Sequence, residues 1–171
     1  MQKRAIQTMI DYHYGRYREV WISIMALSDE QFVEEIPYSW GSVRNHMVHL
    51  VDDDAGWIAF IEEKERPPVL KPEDFAARTA VREQFDSIEA HVLDVVNRMD
   101  DEALAREYIW QPPPAPGPQR ITAWQILLHM VNHGTDHRAQ ILRALYDLGA
   151  PTFDQDLMSY LWQTGKTSLS D

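Results

Sequence analysis

Three of the seven histidines in this 171-residue chain, His129, His133 and His137, recur at intervals of four, and no cysteine is present. At about 100° per residue, neighbours in that series stand one turn apart on one face of a helix. Neutral imidazole is a good ligand for a divalent ion, and side chains four apart can meet. Either neighbouring pair could therefore clamp one ion. All three cannot: eight rises of about 1.5 Å put His129 roughly 12 Å from His137, whereas zinc–nitrogen bonds are about 2.0–2.1 Å. A third ligand must come from another segment. His46 and His49 are the candidates, three apart and broadly on one side. Asp53, a turn beyond His49, is either a carboxylate supporting a ligand or a solvent-facing charge. His13 and His91 lack such partners and read as ordinary residues.

Several other metal chemistries are excluded. A zinc protease helix needs Glu directly after the first histidine of the pair, and Gly134 stands there. A di-iron carboxylate bundle needs Glu-x-x-His motifs, and the chain has none. Without cysteine there is no thiolate ligand and no disulfide. What remains is one ion on neutral imidazoles. Three nitrogens and an open position are the arrangement of a catalytic ion rather than a closed structural one. Zn or Ni suits such a site, and Fe or Mn is chemically compatible.

Helices must position these residues. Ile6, Met9, Ile10, Tyr14, Tyr17, Trp21, Ile24 and Met25 recur at threes and fours and predict a helix from about Gln2 to Leu27. Ser28-Asp29 punctuates, and 31–39 with Pro37 reads as a connection. A second helix should start near Ser42, a good cap, and end at Arg66-Pro67-Pro68. A third spans roughly Thr79 to Met99. Tyr108-Ile109-Trp110 reads as a short extended piece, and Gln111 to Gln119, with five prolines and one glycine, as a loop whose Pro112–Pro118 stretch covers either the site mouth or a neighbour. Thr122 caps a fourth helix, Ala123 to about Leu148, which Gly149 and Pro151 terminate. A short helix, Asp154 to Trp162, and a loose polar tail follow. The fold expected is all-α: one domain over 1–171, a four-helix bundle with long crossover loops and a short C-terminal helix.

The composition bounds the partners. The net charge is −11, with 16 basic residues scattered along the chain, which argues against binding nucleic acid. No apolar run approaches the roughly 20 residues that span a bilayer. The start lacks the apolar stretch of a signal peptide, so a cytoplasmic location is expected.

Three stretches resemble the DinB/YfiT-like superfamily of bacterial four-helix-bundle metalloenzymes. They are Trp40-Gly41-Ser42 through His49-Leu50 with Asp53 and Trp57; His133-Gly134-Thr135-Asp136-His137-Arg138-Ala139-Gln140-Ile141; and Leu148-Gly149-Ala150-Pro151 leading to Asp154 and Tyr160-Leu161. The resemblance implies a divalent-metal site of His49, His133 and His137, choosing His49 over His46 and the later pair over the earlier. His129 then flanks the site or sits in the core. Some members of the superfamily are transferases or isomerases that work with a low-molecular-weight thiol, some form homodimers, and some are stress-associated. The resemblance implies a metal-dependent thiol transferase acting on a small molecule. The alternatives are a metal-dependent hydrolase and a non-catalytic metal-binding protein.

Overall fold

The computed structural model describes residues 3–111, 114 and 117–166. Its helices and strands, in order, are α1 (Lys3–Met25), α2 (Asp29–Val33), α3 (Val43–Ile61), α4 (Arg78–Arg98), α5 (Asp101–Ala105), β1 (Glu107–Trp110), β2 (Gln119–Thr122), α6 (Ala123–Asp147) and α7 (Leu157–Gln163). A single 3-10 turn, Pro72–Asp74, precedes α4. Among these residues no helix is long and apolar enough to cross a membrane. The helical bundle expected from the periodicity is present, built on α1, α3, α4 and α6. Gln2, prolines 112, 113 and 116, and the end of the polar tail lie outside the described residues.

The long helices form where their apolar spacing says they should. On α1 the stripe Ile6, Ile10, Tyr14, Tyr17, Trp21 and Ile24 is buried, whereas Met25 is exposed. The same helix also buries Tyr12, His13 and Arg16, beyond one stripe. His13 packs inward against Gly134 and Asp54, and the C-terminal segment covers Tyr12 and Arg16: the Tyr12 hydroxyl donates to the Gln155 carbonyl (2.8 Å), Arg16 Nη2 to that of Asp156 (3.3 Å) and the Tyr160 hydroxyl to that of Asp11 (2.9 Å). Arg138, fully buried, ties the same parts together through Gln155 Oε1 (2.7 Å) and the Tyr12 hydroxyl (3.0 Å).

Packing contacts join α1 to α6 and α4, and α3 to α6 and α4. The four long helices thus form a ring in the order α1–α6–α3–α4. Consecutive helices α3 and α4 are neighbours, but the chain crosses the bundle between α1 and α3 and again between α4 and α6. Short elements occupy both crossings. The first holds α2, opened by a reciprocal cap in which Ser28 Oγ accepts from Gln31 N–H (3.2 Å) and Gln31 Oε1 from Ser28 N–H (2.9 Å). The second holds α5 and an antiparallel hairpin pairing Tyr108 with Ile121. Only the first strand of that hairpin was expected. Ser42 does cap α3, accepting from Asn45 N–H (3.1 Å). That helix stops at Ile61, before the prolines, because Glu63 turns left-handed (φ 57°) and Lys64 N–H closes onto the Ala59 carbonyl (2.9 Å).

Of the described glycines, the one with least room for a side chain is Gly134, where α6 meets α1. A Cβ there would stand 2.2 Å from His13 Cε1 and 3.2 Å from Tyr17 Cε2. The Tyr17 hydroxyl donates to the Gly134 carbonyl (2.7 Å). Helix propensity alone favours alanine over glycine by about 1 kcal/mol. Here the sign should reverse: Gly134→Ala is expected to destabilise the protein by about 1–3 kcal/mol through overpacking, measured by urea unfolding. A more stable variant would show that the contact relaxes freely.

Candidate metal centre

The histidines meet on the seam between α3 and α6. His46 touches His137, His49 touches His133, and Trp57 touches His129. Rising numbers on α3 pair with falling numbers on α6, so the two helices run antiparallel and each turn of one faces a turn of the other. Among the described residues, His49, His133 and His137 form the one group able to offer a metal three ligand atoms, all within 4.8 Å of one another. The structure brings together the expected trio. His129 lies one turn along α6, stacked on His133 (5.6 Å between centroids) and edge-on to Trp57 (5.2 Å).

The donor geometry fits an ion. The Nε2 atoms of His49 and His133 are 3.2 Å apart. Two nitrogens about 2.0–2.1 Å from one tetrahedral zinc would be separated by about 3.3 Å. His137 approaches His46 through Nδ1 (3.2 Å), which leaves Nε2 as its second nitrogen. The rings of His133 and His137 lie 4.4 Å apart, and those of His49 and His137 4.9 Å.

Electrostatics favours the neutral form of His46, His49, His129 and His137. Burial, reinforced by the neighbouring imidazoles His133, His49 and His46, pushes His137 down to about 3. Burial and then His49 bring His46 to about 4, and burial lowers His49 and His129. A low dielectric penalises the charged form, and clustered bases resist further protons. Neutral imidazole carries the lone pair a metal needs.

Each ring is held from behind. His49 lies flat on Trp40 (4.0 Å between centroids, 15° between planes). Trp40 is in turn fixed by Asn45 Nδ2, which donates to its carbonyl (2.8 Å). Asp53 Oδ2 accepts from Trp57 Nε1 (3.0 Å) and lies 3.4 Å from His133 Nδ1. Of the two roles open to Asp53, the geometry supports the first: its carboxylate faces a histidine. His46 is fully buried against His137, with Nε2 unpartnered. Helix periodicity did not reveal Trp40, because it precedes α3 on a turn where Ser39 and Gly41 both adopt positive φ. His13, read as ordinary, lies deep in the core with Nε2 3.6 Å from Asp54.

A family model described as the DinB family matches residues 1–168. Protein DinB of Bacillus subtilis (strain 168) is 24% identical over 165 residues, spanning 91% of this chain and 93% of the relative. A solved structure of YfiT from Bacillus subtilis, described as a probable metal-dependent hydrolase with an unusual four-helix bundle topology, superposes with a TM-score of 0.60 at 19% identity. The match covers 84% of this chain and 85% of that one.

The low histidine values make a signed prediction for the metal-free protein. Below 6.5 the unfolded chain takes up protons that native His46 and His137 refuse until about 4 and about 3. Stability contributed by these groups is therefore intact above 6.5 and falls as pH drops through that window. The melting temperature of chelator-treated protein should already decline between pH about 6.5 and 5, above the range where carboxylates titrate. A flat profile there would mean that these rings charge freely in the native state.

Proposed function

The chain belongs to the DinB family, and from that premise we propose that it is a metal-dependent enzyme in which His49, His133 and His137 hold one divalent ion, zinc or nickel first, to activate a low-molecular-weight thiol for transfer to a small electrophile. The observation that carries the reading is the convergence of three histidines from α3 and α6, two with Nε2 atoms 3.2 Å apart. A divalent ion there supplies a Lewis acid that makes an incoming thiol or water more acidic. The protein's own groups hold the ligands. Trp40 fixes the plane of His49, His46 engages Nδ1 of His137 so that Nε2 is presented, and Asp53 faces Nδ1 of His133. Such outer partners orient imidazoles and raise their basicity.

The choice of thiol over water rests on proton handling. A thiol ionises near pH 8.5 unaided and needs little help to become a nucleophile. Hydrolysis also needs a group to carry protons to and from the reacting atoms. Asp53, the carboxylate at hand, already accepts a hydrogen bond from Trp57 Nε1. The chain has no cysteine, so a thiol must come from outside. The hydrolase reading is kept as the alternative because the fold matches YfiT, which is described in that way.

Elemental analysis of the purified protein should find about one equivalent of divalent metal, lost in His133→Ala. Asp53→Ala should keep the site but weaken the metal by about 10–100-fold, read by chelator competition. With zinc restored, product from an electrophile panel should require added thiol. Turnover without thiol would favour hydrolysis, and absence of stoichiometric metal would overturn both readings.

A further inference from the structure

Beside the histidines lies a cavity of about 560 Å³ that the metal centre itself does not use. One wall is a stripe of α3, formed by Asp53, Gly56, Trp57 and Phe60, at the three-and-four spacing of one helix face. Trp110 of β1 continues that wall, its ring meeting that of Trp57 edge-on with centroids 5.5 Å apart. Asp53 is shared with the metal centre, since the same carboxylate lies 3.4 Å from His133 Nδ1. The cavity thus adjoins the histidines and has aromatic sides.

Two cations also line it, Lys64 and Arg66, in a chain whose net charge is −11. Neither is there by helix periodicity. The left-handed turn at Glu63 (φ 57°) breaks α3 and sends the chain back over its own last turns. A bulky residue in that conformation is uncommon and is held only where its surroundings enforce it. The Arg66 guanidinium then lies on the α3 backbone at Gly56, where a Cβ would meet it at 3.0–3.3 Å. Both cations are tethered by acids outside the cavity lining: Arg66 Nη2 donates to Asp52 Oδ2 (2.7 Å) and Lys64 Nζ to Glu62 Oε2 (2.9 Å). Among the described residues Arg66 bonds through Nη2 alone, which leaves Nε and Nη1 for a ligand. A guanidinium offers planar donors to a carboxylate, and an ammonium adds a point charge.

We propose that this cavity binds a small carboxylate-bearing molecule. The carboxylate sits against Arg66 and Lys64, an apolar or aromatic body lies against the joined Trp57 and Trp110 rings, and the far end reaches toward Asp53 and His133. The assignment rests on the metal-centre reading only for which end reacts. Asp53 gives the site its polarity, because it repels a second carboxylate from the histidine side and orients the ligand.

The probes are para-methylbenzoate and its methyl ester on metal-free protein, and para-(mercaptomethyl)benzoate and its methyl ester on zinc-loaded protein. Binding is read by calorimetry and tryptophan quenching. Each acid should bind about tenfold more tightly than its ester, the scale of one charge-assisted contact. In the Lys64→Gln/Arg66→Gln double variant, with melting temperature and zinc content unchanged, the acid should fall to the level of the ester. Trp110→Ala should weaken acid and ester alike. Equal binding of acid and ester, no binding of either, or a preference that survives the double substitution would overturn the proposal. If no zinc is retained yet the acid preference persists on metal-free protein, the cavity assignment stands and the metal-centre reading fails. Zinc retention without acid preference gives the reverse.

Discussion

The approach of α6 to α1 at Gly134 is the constraint on which the rest depends. The glycine sits between the two paired histidines of α6, and on its far side the His13 and Tyr17 rings fill the space a side chain would take. Pressing the backbone of α6 onto α1 sets the rotation of α6, and that rotation aims His133 and His137 at the neighbouring helix α3. The Tyr17 bond to the Gly134 carbonyl adds a directional lock to the steric one. Arg138 extends the lock to the C-terminal segment, so the helix bearing two of the three histidines is held on three sides.

Burial and crowding favour the uncharged form of His46, His49 and His137 on this seam. Water is excluded from His46 and His137, and each imidazole disfavours a proton on its neighbours. A cluster of this kind is a poor stabiliser. It leaves buried nitrogens such as His46 Nε2 without partners, and an unpaired buried polar atom costs about 1–3 kcal/mol. A bundle selected for stability alone would place leucines on this seam. The cluster makes physical sense as a set of lone pairs kept available for something that is not protein.

How much of this was legible in the sequence varied with the kind of signal. The long helices were, because Ile6 to Ile24 and the equivalent runs repeat at threes and fours. The clamp on α6 was legible as a four-residue interval, and the same geometry limited it to one neighbouring pair. Choosing between His46 and His49 was not possible from spacing, since both face α6; the structure separates them by which nitrogen meets which partner. The short helices α2 and α5 went unseen although Ser28-x-x-Gln31 is a capping pattern, because five residues carry almost no periodicity. The second hairpin strand was hidden behind the prolines. Trp40, Lys64 and Arg66 arrive through left-handed turns at Ser39, Gly41 and Glu63. Two of those positions are not glycine, so no residue type announced them.

The distance along the chain between the facing histidines has a consequence for folding. His49 and His133 are 84 residues apart, and the helices that carry them are joined only after the chain has crossed the bundle. An ion gripping both would act as a staple around a loop of that length, in a protein with no cysteine to make a disulfide. Loop-closure entropy grows with the logarithm of loop length, so such a staple would remove much of the freedom of the opened chain. If the contact between the two helices forms after the folding transition state, the staple would slow unfolding more than it speeds folding. The histidine centre would then also set the lifetime of the native state.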